Sequence, residues 1–88
     1  MSRVELRIRG VPEWLLRAYL AGLGAVEDNG DAARMTGDGY AVSWSAERAP
    51  LPGGTLSLTQ LNIRLDGDAA AIAALEPALM AKLQRGGG

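Results

Sequence analysis

The carboxylates of Glu27, Asp28, Asp31 and Asp38, and the pair Asp66 and Asp68 around Gly67, come closest in type and spacing to a cation or acid–base site. A Mg²⁺ or Ca²⁺ ion needs convergent oxygens, and the calcium-loop spacing that ends in a glutamate is absent. Turn chemistry accounts for these residues instead. Asp66-Gly67-Asp68 reads as a strand-to-helix turn with a helix cap, and Asn29-Gly30 as a turn within an acidic loop. The chain has no cysteine and no histidine. Thiolate nucleophiles, zinc–thiolate sites and imidazole bases are therefore ruled out. A serine nucleophile would need a lysine base, yet Lys82 is the only lysine and no Ser-x-x-Lys precedes it. Gly37-Asp38-Gly39 and Gly53-Gly54 lack the lysine and the following helix of a phosphate loop. These patterns predict a protein that is not an enzyme and that takes no cofactor or metal.

Arginine is the second chemical signal. Val4, Leu6 and Ile8 alternate with Arg3, Glu5, Arg7 and Arg9, the period of a half-buried strand. Extending that parity over the other expected strands puts Arg3, Glu5, Arg7, Arg9, Arg34, Thr36, Ser43, Ser45, Gln60, Asn62 and Arg64 on one sheet face. Five of these are arginines and one is an acid. Guanidinium forks match oxyanions and concentrated positive charge steers polyanions, so Arg3, Arg7, Arg9, Arg34 and Arg64 form a candidate site for an anion, a nucleic acid or an acidic partner. Sheet-based readers of single strands stack bases on aromatic rings, however, and Tyr40 and Trp44 fall on the opposite, inward parity. The competing reading is a solvated strand face, or one that pairs with its own copy. Trp14, near the start of the first helix, is a candidate interface residue, because tryptophan is enriched among binding hot spots.

The elements that would hold these residues follow from periodicity and punctuation. With 88 residues, 48% of them apolar and 22% charged, and a net charge of −1, the chain has room for a single globular domain, here 1–85 with a flexible glycine tail at 86–88. After the first strand, Pro12-Glu13 suits a helix start, and Leu16, Leu20 and Leu23 form a stripe that Gly24 ends. Val26 to Asp31 reads as a loop. Ala32–Thr36 and Tyr40–Ala46 pair as a hairpin through Gly37-Asp38-Gly39, and Glu47–Gly54, with its two prolines, is a connection. The last strand spans Thr55–Leu65, where a change of parity calls for a bulge near Thr59-Gln60. Asp68 opens a final helix with the stripe Ile72, Leu75, Leu79 and Leu83, kinked or restarted at Pro77. The expected fold class is α+β, a two-layer sandwich of order β-α-β-β-β-α, with both helices on one face of a mainly antiparallel four-stranded sheet. No run suits a signal peptide or a membrane span, which predicts a cytoplasmic protein.

Three resemblances add to this. Without its first strand the order is that of the double-stranded-RNA-binding domain. That family clamps phosphates with a lysine-rich start to its second helix, whereas this chain has Asp68-Ala69-Ala70-Ala71 there, so the activity is not carried over. Gly86-Gly87-Gly88 is similar to the tail of ubiquitin-like sulfur carriers, whose terminal Gly-Gly carboxylate is adenylated and thiolated. Those carriers have a hairpin before their helix and project the tail from a strand. The stretch Val4-Glu5-Leu6-Arg7-Ile8-Arg9-Gly10-Val11-Pro12-Glu13-Trp14-Leu15-Leu16, with Tyr19-Leu20, resembles a small bacterial family of unknown function, which implies no catalytic residues. Taken together, the sequence predicts a non-enzymatic domain acting by self-association, as a homodimer, or by binding a protein partner. The alternatives are an anion or nucleic-acid binder and a Gly-Gly-tailed sulfur carrier.

Overall fold

The computed structural model describes residues 1–54 and 56–86. Of the expected glycine tail at 86–88, Gly86 is helical, while Gly87 and Gly88, like Thr55 at the expected start of the last strand, lie outside the described residues. The elements are β1 (Ser2–Arg9), α1 (Glu13–Gly22), β2 (Val26–Asp28), β3 (Asp31–Gly37), β4 (Tyr40–Pro50), β5 (Ser57–Gly67) and α2 (Ala69–Gly86). The sheet has five strands, not four, in the order β1-β5-β4-β3-β2, and every neighbouring pair is antiparallel.

The extra strand is β2, in the stretch expected to be a loop. It is three residues long and none of them is buried, so no alternating apolar signal marks it. Backbone pairing with β3 holds it, through Val26↔Thr36 and Glu27↔Met35, before the register slips between Glu27 and Asp28. Asn29-Gly30 is then the turn of a hairpin. The Asp28 and Asp31 carboxylates accept hydrogen bonds from the N–H groups of Gly30 and Ala33, each at 2.8 Å. With β2 present, the element order departs further from the double-stranded-RNA-binding domain.

A second correction concerns β4 and β5. Their register runs without a slip from Tyr40↔Gly67 to Pro50↔Ser57, so the bulge expected near Thr59-Gln60 is absent. The change of parity has another cause. Beyond Glu47 and Gln60 the two strands continue as a ribbon past the end of β1, where Leu56 and Leu58 need not point inward, and both are exposed. Part of the expected Glu47–Gly54 connection is thus strand, with Pro50 at its end, where a missing N–H costs no central pairing.

One parity of the sheet and both helical stripes form a single core. Val42, Trp44, Leu61, Ile63 and Leu65 pack with Leu16 and Leu20 of α1 and with Ile72, Leu75, Leu79 and Leu83 of α2. Pro77 neither ends nor restarts α2, which is helical throughout Ala69–Gly86. A proline inside a helix costs about 3 kcal/mol. Here buried side chains on both sides of it, Ile72 and Leu75 before and Leu79 and Leu83 after, hold the two halves to the sheet.

The turn from β5 into α2 depends on glycine for space. A Cβ on Gly67 would stand 2.2 Å from the Gly39 carbonyl oxygen and 2.7 Å from the Tyr40 Cα. The same Gly39 carbonyl accepts the Asp68 N–H at 2.9 Å, and the Asp68 carbonyl accepts the N–H of Ile72. The start of α2 is therefore tied to the β3–β4 turn as well as to β5.

Candidate functional site

The open face of the sheet collects the candidate residues as the parity argument requires. Register places Arg3 opposite Asp66 and forms rows across β1, β5 and β4, Glu5–Arg64–Ser43, Arg7–Asn62–Ser45 and Arg9–Gln60–Glu47, with Arg34 opposite Ser43. Arg3, Arg7, Arg9, Arg34 and Arg64 therefore share one face. Its centre is a shallow cleft of about 400 Å³, lined by Glu5, Arg7, Ser43, Ser45, Asn62 and Arg64.

Its charge differs from the sequence expectation. Arg3 binds Asp66 at 2.7 Å, Arg34 binds Asp28 at 3.1 Å, and Arg64 lies 3.8 Å from Glu5. The hydrogen bond to Asp66, and then its charge, hold the Arg3 guanidinium above its ordinary pKa. Five arginines thus meet four carboxylates, Glu5, Asp28, Glu47 and Asp66, where the sequence reading has one. All three missed acids lie at strand boundaries drawn too short. Asp28 falls in the supposed loop, Glu47 just after the expected end of β4, and Asp66 just after that of β5. Continuing the outward parity through 43, 45, 47 and through 62, 64, 66 would have found the last two.

Gln60 is the buried polar residue of this face, only 8% exposed. Its amide oxygen accepts from Arg9 Nε at 3.1 Å, while its Nε2 donates to Glu47 Oε1 at 2.8 Å and to Asn62 Oδ1 at 3.0 Å. Every hydrogen of that amide has an acceptor, so its burial carries no unsatisfied donor. Among the described residues, Arg7 is the arginine of the face with no ion-pair or hydrogen-bond partner.

The aromatics stay off the open face. Trp44 is buried in the core, and its indole N–H donates to Glu13 Oε1 at 2.9 Å. One helical turn on, the Arg17 guanidinium lies 5.3 Å from the same ring, pairs with Glu27 at 3.6 Å and donates to the carbonyl of Ala32. α1 is thus fixed to the sheet through Trp44 and to the β2–β3 hairpin through Arg17. Burial raises the Tyr40 phenol above its ordinary pKa, and its hydroxyl has no hydrogen-bond partner. Trp14 is 69% exposed on α1, and the structure does not bring it to the arginine face. Among the described residues, no cluster of acids could hold a metal ion, and no helix is long and apolar enough to cross a membrane.

A family model described as archaeal MoaD-like protein matches residues 4–88. The chain belongs to that family. Membership corrects the resemblance seen over Val4–Leu20, since the MoaD-like family is named for archaea and is not the bacterial family of unknown function. It spans almost the whole sequence, α2 and the three closing glycines included. No curated protein matches this MoaD-like chain.

Proposed function

We propose that this MoaD-like chain is a sulfur-carrier protein, in which the Gly88 carboxylate is the group activated and loaded. Attack of that carboxylate on the α-phosphorus of ATP forms an acyl adenylate and releases pyrophosphate. Hydrosulfide, supplied by a partner, then adds to the acyl carbon and displaces AMP, and loss of its proton leaves a thiocarboxylate. The observation that carries the reading is the family match, which runs through Gly86-Gly87-Gly88. Composition supports it from another side. A chain without cysteine or histidine offers little to catalysis, whereas a carrier asks only for a main-chain carboxylate that an activating enzyme can reach.

The support lies in family and tail more than in shape. Sulfur carriers place a hairpin before their helix and the tail after a strand, but here β1 alone precedes α1, and β5 is followed by α2, which runs through Gly86. An anion- or nucleic-acid-binding role for the arginine face is less favoured, because its guanidiniums are largely matched by carboxylates and no aromatic ring stands among them. Intact-mass spectrometry of the natural protein, incubated with ATP and candidate activating enzymes and then with sodium sulfide, tests the carrier reading. Adenylyl and then thiocarboxylate adducts on Gly88, lost when Gly87 and Gly88 are removed, are expected. A spectrum unchanged with every enzyme of a suitable panel would overturn it.

A further inference from the structure

The two edges of the sheet differ in a way that points to a partner. β2 closes one edge with three residues and a slipped register, a poor template for another strand. β1 closes the other with eight residues in unbroken register against β5, and none of the eight is buried. Val4, Leu6 and Ile8 are only half-buried, although Leu61, Ile63 and Leu65, their partners on β5, are fully buried.

The direction of the free backbone groups can be read from one bond. The Gly10 N–H donates to the Thr59 carbonyl at 3.0 Å, in step with the β1–β5 register. Hydrogen-bonded and non-bonded pairs alternate along an antiparallel ladder, so Ile8, Leu6 and Val4 direct their main-chain groups toward β5. Those of Arg3, Glu5, Arg7 and Arg9 point away, to the open edge. The residues that present backbone there are also the ones that carry charge on the open face.

We propose that β1 pairs antiparallel with β1 of a second copy of this chain, about a two-fold axis through Leu6. The two sheets would join edge to edge in an isologous dimer. In this register Glu5 of each copy faces Arg7 of the other as a hydrogen-bonded pair. Arg7, unpartnered in the single chain, gains a carboxylate, and Leu6 meets Leu6 on the helical side, flanked by Val4 and Ile8. Other registers match less well. An axis at Glu5 opposes two glutamates, an axis at Arg7 opposes two arginines, and a shift by one residue turns the charged face of one copy against the apolar face of the other. The cost is Arg3 opposite Arg9 at the two ends of the pairing, where Asp66 and Gln60 already engage those guanidiniums. The dimer does not depend on the carrier reading.

Sedimentation over a concentration series, with circular dichroism to monitor folding, tests the proposal. The natural chain should dimerise, while Arg7→Glu and Glu5→Arg should each stay folded and weaken the dimer by roughly tenfold or more, since each puts like charges opposite one another twice. Mixed in equal amounts, these two variants should recover a mixed dimer by native mass spectrometry, because positions 5 and 7 are then both acidic in one chain and both basic in the chain that faces it. In a chain with no native cysteine, Leu6→Cys should cross-link to its own copy on oxidation, as Cα atoms of a non-bonded antiparallel pair lie about 4.5 Å apart. Val4→Cys, which faces Ile8 across the axis, should not. A natural chain that stays monomeric, a mixture of charge variants that gives no mixed dimer, or equal cross-linking at positions 4 and 6 would each overturn it.

Discussion

The two faces of β5 are built from alternate residues of one strand, and they hold the molecule together by different means. Leu61, Ile63 and Leu65 turn inward and are almost wholly removed from water. Gln60, Asn62, Arg64 and Asp66 turn outward into hydrogen bonds and ion pairs, part-buried around Gln60 and exposed at Arg64 and Asp66. Inner residues contribute by filling volume, at about 1.5–3 kcal/mol for each large side chain buried. Exposed pairs contribute about 0–1 kcal/mol each. Away from the buried Gln60 amide and its partners, the outer face is therefore free to vary in sequence with little loss of stability, whereas the inner face is not, and charge matching at its exposed pairs sets what the sheet can meet more than how well it folds.

The contrast can be tested on three consecutive residues, Leu65, Asp66 and Gly67. Leu65→Ala empties a fully buried site and should cost about 3–5 kcal/mol in chemical denaturation. A loss under about 1 kcal/mol would mean that the inner face is loosely packed. Gly67→Ala drives a Cβ against the Gly39 carbonyl and should cost about 1–3 kcal/mol, read as a fall in the midpoint of thermal unfolding.

Tyr40→Phe comes next, and its effect depends on pH. A phenol whose pKa is raised in the folded state leaves stability unchanged below the ordinary value of 10.0 and lowers it as pH rises from there to the folded value. The natural protein should lose stability over that alkaline window, and the variant should lose less. Near neutrality the change should stay within about 1 kcal/mol, because the hydroxyl it removes has no partner. Smallest of all, Asp66→Asn should cost a few tenths of a kcal/mol, shrinking further in high salt, since the Arg3 pair is exposed. A salt-insensitive loss of several kcal/mol would show that the outer face is as demanding as the inner one.

The inner face is legible in the sequence and the outer face only half so. Alternation along Val4-Leu6-Ile8 and the stripes of α1 and α2 record burial directly, because water exclusion selects residue type at each inward position. The same parity places Trp44 inward and all five candidate arginines on one face. β2 leaves no such record, since Val26, Glu27 and Asp28 are held by backbone bonds that any residue with an N–H can make. The ends of β4 and β5 are obscured for a related reason. Past Glu47 and Gln60 the ribbon leaves the core and alternation loses its cause, while at the other end Asp66 beside Gly67 has the chemistry of a turn. Family membership is half legible: the Gly86-Gly87-Gly88 tail is similar to that of sulfur carriers, in keeping with the MoaD-like match, whereas the residues resembling a known pattern near the N-terminus are those of an ordinary amphipathic strand and helix.

The way α2 is mounted has a mechanical consequence. With its first residues tied to the Gly39 turn and its buried stripe seated on the sheet, an 18-residue helix is a rod of about 27 Å anchored along its length. The Gly86 end of the helix is therefore held at a set distance from the Gly39 corner instead of sweeping the surface. Anything that grips the body of the protein therefore meets the C-terminal end of α2 in a fixed place.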